Sequence, residues 1–341
     1  MQNGKFSNQC AEKSKSKVTF CSATTHILNV VANLKMRLLS KIILLTFMGL
    51  FTSCFGQKEE HIYLAGWEAE FNGDEQCQKF LETQVIDKKT ANNIWSSIDL
   101  VFKEGKLVKA YDNDEGHRTE RKLKESEIGF EYQKLKPNQI YSLNQAAKSE
   151  SYLGGEIPNE FKIPKFEFNA PFQYLGKFSK TEEAFNWLPF DLHIAAPIYL
   201  NFDKLFIDYS DPLNPKVLNI EELKQTDNSY DDLKPNSEIV YEKVYITTQK
   251  ETNFGGIGHT SVPSWIQYPD IPACPKSKKT MKLLCQLTYD GVDIKTKRTN
   301  VQPKDEWYRQ YFENMNFWGD GDLYIFFEPE SKIMCFIIQH T

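Results

Sequence analysis

The sequence predicts a β-rich α+β protein with two related antiparallel sheet units and a small α+β region ahead of them. Three observations lead there. Hydrophobic residues make up 40% of the 341, enough for a sizeable core, and the aromatics are chiefly Phe (24) and Tyr (16), which suit a pleated surface. The stretches Ile98–Tyr111 and Ile239–Thr247 carry hairpin and alternating apolar–polar patterns. Finally, one stretch of the chain is echoed by a later one. Gly154-Gly155, Pro158, Ile163-Pro164, Phe172–Leu175, Trp187 and Asp191-Leu192 match Gly255-Gly256, Pro263, Ile271-Pro272, Met281–Leu284, Trp318 and Asp322-Leu323.

In chain order, residues 36–53 come first to notice. A basic n-region, Met36 to Lys41, precedes the apolar run Ile42–Phe51 and the small-residue site Thr52-Ser53-Cys54. A ten-residue helix rises ~15 Å, about half the hydrocarbon core, so this is a signal rather than a stable span. It resembles a bacterial lipoprotein signal with Cys54 as the lipidated residue. The alternatives are an ordinary signal cut near Gly56 or a short buried helix. Residues 1–35 read as an upstream extension, with translation starting at Met36. Residues 1–53 hold seven Lys/Arg and one Glu, which leaves 34 basic and 45 acidic residues and a net charge of −11 in the remainder. Such a surface repels phosphate backbones and argues against nucleic-acid binding.

Residues 54–60 read as a tether, in which Gln57-Lys58-Glu59-Glu60 is either an export signal or a solvated linker. The small α+β region covers 61–150. Its first strand starts with Ile62, Leu64 and Trp67. Asp74 caps a helix running to Ile86, with Cys77, Phe80, Leu81 and Val85 at 3–4 spacing. The hairpin of Ile98–Tyr111 turns at Lys103-Glu104-Gly105-Lys106. Asp112–Gly116 is turn-forming; its Gly falls one place early for a calcium loop.

The first repeat covers about 151–220, a polar linker runs from Asp227 to Asn236, and the second repeat covers about 252–341. A charged insertion lies between Tyr289 and Asn314, and Asp305–Phe312 within it has a helical pattern. Neither Gly-Gly pair leads into a Lys-Ser/Thr helix start, so both are read as braces for close backbone approach rather than phosphate loops.

Gly255-Gly256, Pro263–Gln267, Pro269, Pro272–Pro275, Met281–Leu284, Gln286, Gly319–Gly321, Leu323–Phe326 and Gln339 together resemble the YwqG-like family, a bacterial domain family of unknown function. The resemblance covers 252–341 and, more weakly, 151–220. It implies two Cys-x-x-Cys knuckles suited to zinc. Here their positions hold Cys274 and Ser277, then Glu328 and Ser331, a poor zinc set. No metal or cofactor is therefore expected, with hydrogen bonds and packing in its place.

No catalytic motif stands out. Cys285 and Cys335 sit in apolar strands and read as inert thiols. In an oxidising compartment Cys77, Cys274, Cys285 and Cys335 have three possible full pairings. Asp191, His193 and Asp322 are the polar candidates for a cleft between the repeats; His259, in the Gly258-His259-Thr260 loop, is a further candidate base, and structural roles are favoured for both histidines. Trp265 and Tyr268, in the Pro-rich loop 261–275, are candidate contact anchors, whereas Trp187 and Trp318 read as packing residues. The sequence thus favours an exported, lipid-anchored module that binds a protein or peptide, with an immunity role as one version. A hydrolase-like enzyme and a carbohydrate-binding lipoprotein are the alternatives.

Overall fold

The computed structural model describes residues 58–67, 69–164, 171–200, 202–223, 233–234, 236–291 and 293–341. The upstream extension, the signal, Cys54 and most of the tether lie outside the described residues, as do Asp227–Asp232 of the linker. Among the described residues no helix is long and apolar enough to cross a membrane.

Two sheets carry nearly all of the strands, and every strand pair is antiparallel. The smaller sheet comes first in the chain: β1 (Glu60–Ala65), β2 (Val85–Ile86), β3 (Ser96–Lys103), β4 (Lys106–Asp114) and β5 (His117–Arg121), in the order β2-β1-β3-β4-β5. Helix α1 (Glu75–Gln84) packs Phe80 and Leu81 against it. The Asp74 carboxylate caps that helix by accepting the Cys77 N–H at 2.8 Å. Glu104 and Gly105 take φ of 53° and 76° between β3 and β4, and Glu115 and Gly116 take 47° and 79° between β4 and β5. Both are two-residue hairpin loops with left-handed centres. The second places the turn within Asp112–Gly116 at its last two residues, and Asp112–Asp114 are strand. A four-residue helix, α2 (Lys88–Ala91), follows β2.

The larger sheet has eleven strands: β6 (Ile140–Gln145), β7 (Ser151–Leu153), β8 (Gln173–Phe178), β9 (Leu192–Ala196), β10 (Leu205–Asp208), β11 (Lys216–Val217), β13 (Val244–Glu251), β14 (Gly258–Thr260), β15 (Lys282–Leu287), β17 (Asp322–Glu328) and β18 (Ile333–Gln339). Their order is β11-β10-β18-β17-β15-β14-β6-β13-β7-β8-β9. Strands of both repeat segments therefore enter one continuous sheet rather than two. β12 (Ile239–Tyr241) and β16 (Thr296–Thr299) form a separate pair.

That order forces curvature. β9 and β10 lie nine places apart in the sheet, ~43 Å if it were flat. The chain from Ala196 to Leu205 is nine residues and reaches at most ~32 Å. The sheet bends back on itself, and the Tyr209 hydroxyl just after β10 donates to the His193 carbonyl of β9 at 2.9 Å. The concave side holds the main core, including Leu143, Ile194, Leu287, Ile325, Phe327 and Phe336. The convex side of β15, β17 and β18 carries Leu283, Tyr324, Phe326, Cys335 and Ile337, covered by loop 261–275 through Cys274 and Trp265. β17 and β18 are thus buried on both faces, which explains their nearly unbroken apolar sequence.

The Gly-Gly pairs act as braces. A Cβ on Gly154 (φ 65°) would meet the Glu242 carbonyl oxygen at 2.1 Å, and one on Gly256 (φ 74°) would meet that of Leu143 at 2.3 Å. Any side chain would push these backbones apart. The first contact also explains why the expected strand Ile239–Thr247 is two strands. The Glu242 N–H turns to the Lys295 carbonyl (2.7 Å), its carbonyl meets Gly154, and β13 begins afresh at Val244. The expected helix of the insertion is one short turn, α4 (Glu306–Arg309), continued by 3-10 geometry to Phe312; α3 (Ile220–Leu223) precedes the linker.

Candidate functional site

Loop 261–275 has irregular backbone over a sheet, so its polar groups need partners. Three side chains on successive strands supply them. Gln286 of β15 accepts from the Ser264 N–H and donates to its carbonyl, both at 2.8 Å. The Tyr324 hydroxyl of β17 donates to Ser264 O (2.9 Å) and accepts from Ile266 N–H (3.1 Å). Gln339 of β18 accepts from Gln267 N–H (3.1 Å) and donates to Tyr268 O (2.9 Å). Trp265 then stacks on Tyr324, with ring centroids 4.7 Å apart and planes 16° apart. Gln84 of α1 satisfies its surroundings when its oxygen accepts from Trp265 Nε1 at 2.9 Å. Trp265 is thus a half-buried keystone packed against both the convex face and the smaller sheet.

Two clefts open along the seam between that loop and the smaller sheet. One, about 390 Å³, is lined by Gly66, Trp67, Trp95, Ser96, Asp114, Phe254, Pro263, Ser264, Trp265 and Pro269. The other, about 680 Å³, shares Trp67 and Pro269 and adds α1 residues with Arg121, Lys122, Lys124 and Glu127. Trp67 and Pro269 form the ridge between them.

The two seam tryptophans outside the loop are held by their backbones and free at their rings. Arg121 Nη2 donates to the Trp67 carbonyl at 2.8 Å while its guanidinium grips Asp112. Glu115 N–H donates to the Trp95 carbonyl at 3.0 Å. Trp67 is 49% exposed and Trp95 70%. Among the described residues neither indole stacks on another ring or donates a hydrogen bond. Tyr268 is also exposed, at 58%, just before Pro269. Sequence reasoning placed Trp67 in a strand, read Asp114 as part of the Asp112–Gly116 turn and passed over Trp95. The available signal was an indole two residues past the Asn92-Asn93 turn, at the entrance to β3.

The polar candidates do not gather at this seam or at one another. Asp191 accepts from the Ser179 hydroxyl and the Lys180 N–H, both at 3.0 Å, and pairs with Lys177 at 3.3 Å. Burial raises its pKa, but these donors outweigh it and leave the carboxyl below its usual range. His193 Nδ1 lies 2.7 Å from the Tyr174 hydroxyl, which bonds Tyr152 at 3.0 Å; burial, then the Lys177 charge, lowers its pKa. Asp322 accepts from Gln286 Nε2 (2.7 Å) and Tyr289 N–H (3.1 Å), and burial raises its pKa despite both bonds. It shares no partner with Asp191 or His193, so the inter-repeat acid–base cleft expected from these residues does not assemble.

His259 is not in a loop. It is in β14, only 1% exposed, with its ring 4.4 Å from that of Phe254. Among the described residues neither ring nitrogen has a hydrogen-bond partner. The neighbouring Val262 N–H is committed to Thr260 O, and both Gln286 amide hydrogens to Ser264 and Asp322. Burial pushes its pKa down to about 3.

The degenerate knuckle positions do converge. Ser277 N–H points at Cys274 Sγ (3.5 Å), and Ser277 Oγ donates to Glu328 Oε2 (3.4 Å). Glu328 also accepts from Glu330 N–H (3.1 Å) and Ser331 N–H (2.7 Å). Burial raises the Glu328 pKa, but these donors outweigh it and hold the carboxyl below its usual range. The carboxylate closes the Glu328–Ser331 turn by accepting from the Glu330 and Ser331 N–H groups. Among the described residues no three His, Cys, Asp or Glu side chains cluster as metal ligands. Cys77, Cys274, Cys285 and Cys335 are all buried and free, and burial raises the thiols of Cys77, Cys285 and Cys335. Trp187 leans on Phe327 and carries Lys282 Nζ 4.3 Å above its ring, whereas Trp318 stacks on His340. Both are half-buried, and Trp187 packs against the main core. Comparison of the chain with protein-family models, curated proteins and solved structures gave no match.

Proposed function

We propose that this chain is an exported, lipid-anchored binding module of the YwqG-like type whose seam engages a protein or peptide. One observation carries the reading: two rigidly mounted indoles, Trp67 and Trp95, stand exposed and unstacked beside clefts of about 680 and 390 Å³. Exposed tryptophans at a concave surface supply large apolar contact area at small entropic cost, which is why they anchor interfaces. The hydrolase alternative is less favoured because Asp191, His193 and Asp322 are occupied in separate hydrogen-bond sets and line neither cleft.

The seam belongs, in this reading, to an elaborated duplication. β6 and β13 pair antiparallel at the middle of the large sheet. Gly256 of the second repeat packs on Leu143 of β6, and Gly154 of the first on Glu242 just ahead of β13. Each repeat therefore leans on the strand that leads into the other. The small α+β region then docks on loop 261–275 and creates the seam.

The test is to pan a random-peptide display library on the purified protein, with the Trp67→Ala/Trp95→Ala double variant as counter-screen. Peptides that bind the native protein and lose about thirtyfold or more on the variant are expected, the loss typical of anchor aromatics. No enrichment, or enrichment indifferent to both indoles, overturns the proposal. For the anchor, Cys54→Ala is expected to move the protein from the membrane to the soluble fraction of its host. Unchanged membrane retention would remove the lipid from the account.

A further inference from the structure

We propose that the smaller seam cleft is a site for an organic cation of side-chain size, an alkylated ammonium or the ammonium of a lysine. This rests on the binding-module reading and gives the chemistry of what is bound. Trp67, Trp95, Trp265 and Phe254 line the cleft, and among the described residues its one formally charged lining residue is Asp114. Aromatic faces carry negative electrostatic potential and attract cations within about 6 Å of the ring, tryptophan most strongly.

Asp114 is the second observation. It is exposed at the end of β4, and among the described residues its carboxylate has no ion pair or hydrogen bond. Its neighbours in the same sheet are matched. Asp99 holds Arg118 at 2.6 Å, and Asp112 holds Arg121 at 2.6 Å. Among the described carboxylates of β3 and β4, the unmatched one is therefore the one at the cleft. With acidic residues in excess over the whole chain, the field there favours a positive group.

A sugar fits less well. It needs several hydrogen-bonding groups around an aromatic platform. Here the Ser264 backbone N–H and carbonyl are both already bonded to Gln286, which leaves the Ser96 and Ser264 hydroxyls, two indole N–H donors and Asp114, with few acceptors among them. A volume of about 390 Å³ suits one side chain or head group rather than an extended chain of rings. Trp265 stacks on Tyr324 and so offers the cleft a wall that does not need to move.

The experiment titrates the full protein with tetramethylammonium chloride at constant ionic strength, following tryptophan fluorescence and heat. 3,3-Dimethylbutan-1-ol serves as a neutral probe of similar shape, and cellobiose as the sugar arm. Saturable binding of the cation is expected, about tenfold or more weaker in Trp95→Ala and in Asp114→Asn, and about tenfold or more weaker for the neutral alcohol. Both substitutions are at exposed side chains, so unchanged urea midpoints should accompany the loss. Equal binding of the alcohol, preference for cellobiose, or indifference to both substitutions overturns the proposal. The two readings fail separately. Seam-dependent peptides lacking Lys or Arg, with no cation response, would leave a binding module and remove the cation site. A cation response without any enriched peptide would remove the peptide partner and keep the site.

Discussion

Between pH 7 and pH 5 the native protein should lose about 2 kcal/mol more stability than its His259→Phe variant. His259 is 1% exposed, its two ring nitrogens are unpartnered among the described residues, and burial holds its pKa at about 3. In an unfolded chain the imidazole titrates near 6.5. The folded pKa is depressed, so the unfolded state binds the proton first as the solution is acidified. The stability linked to this group is complete above about pH 6.5. It falls by about 1.4 kcal/mol per pH unit down to about pH 3, where the folded form protonates as well. Asp322 works in the opposite sense, since burial raises its pKa and folding favours its protonated form. That contribution is common to both proteins and cancels in the difference. At pH 7 the variant should be close to native in stability, because phenylalanine removes two orphaned polar atoms at the cost of a slightly larger ring beside Phe254. Urea unfolding of both proteins at pH 7, 6 and 5 checks this. Parallel losses would show that the imidazole finds a partner or water when it protonates.

The same residue shows where sequence reasoning stops. Gly258-His259-Thr260 is too short to display alternation, so it read as loop. It is strand because β6 and β15, from distant parts of the chain, pair on either side of it. What was legible was local. The Asp74 cap, the two hairpin turns and the Gly-Gly braces each depend on a few neighbouring residues. The contact of the Cys274–Ser277 turn with Glu328 was not legible locally, since about fifty residues separate the two turns. The pairing order of the large sheet was not legible. β6 and β13 are about a hundred residues apart, and nothing in either sequence selects the other. The seam was illegible for a related reason. Trp67 and Trp95 look like any strand-edge aromatics until the docking of loop 261–275 decides which rings are covered. Trp265 was an open case for the same cause, and docking made it a wall.

One of the three side chains that fix that wall is a buried amide, and Gln286→Leu should cost about 3–5 kcal/mol. Gln286 is 1% exposed and makes three hydrogen bonds of 2.7–2.8 Å to Ser264 N–H, Ser264 O and Asp322. Leucine fills similar space but leaves a backbone donor unpaired, strips the Ser264 carbonyl of one of its two donors and takes a hydrogen bond from a largely buried carboxylate. Tyr324 still bonds Ser264 O and Ile266 N–H, so the loop should loosen rather than detach. Two measurements separate this from ordinary core damage. Amide exchange at Ser264 should accelerate far more than at Gln267, whose acceptor Gln339 is untouched. The Gln286→Leu/Asp322→Leu double variant should recover part of the loss, since the orphaned carboxylate is gone with its partner. A single-variant cost below about 1 kcal/mol, or a double variant whose losses merely add, would mean that Gln286 fills space rather than holds charge. If the coupling is present, the seam owes its Trp265 wall to a carboxylate on the far side of that amide. Asp322 then belongs to the binding face as the residue that keeps it in place, not as an acid or a base.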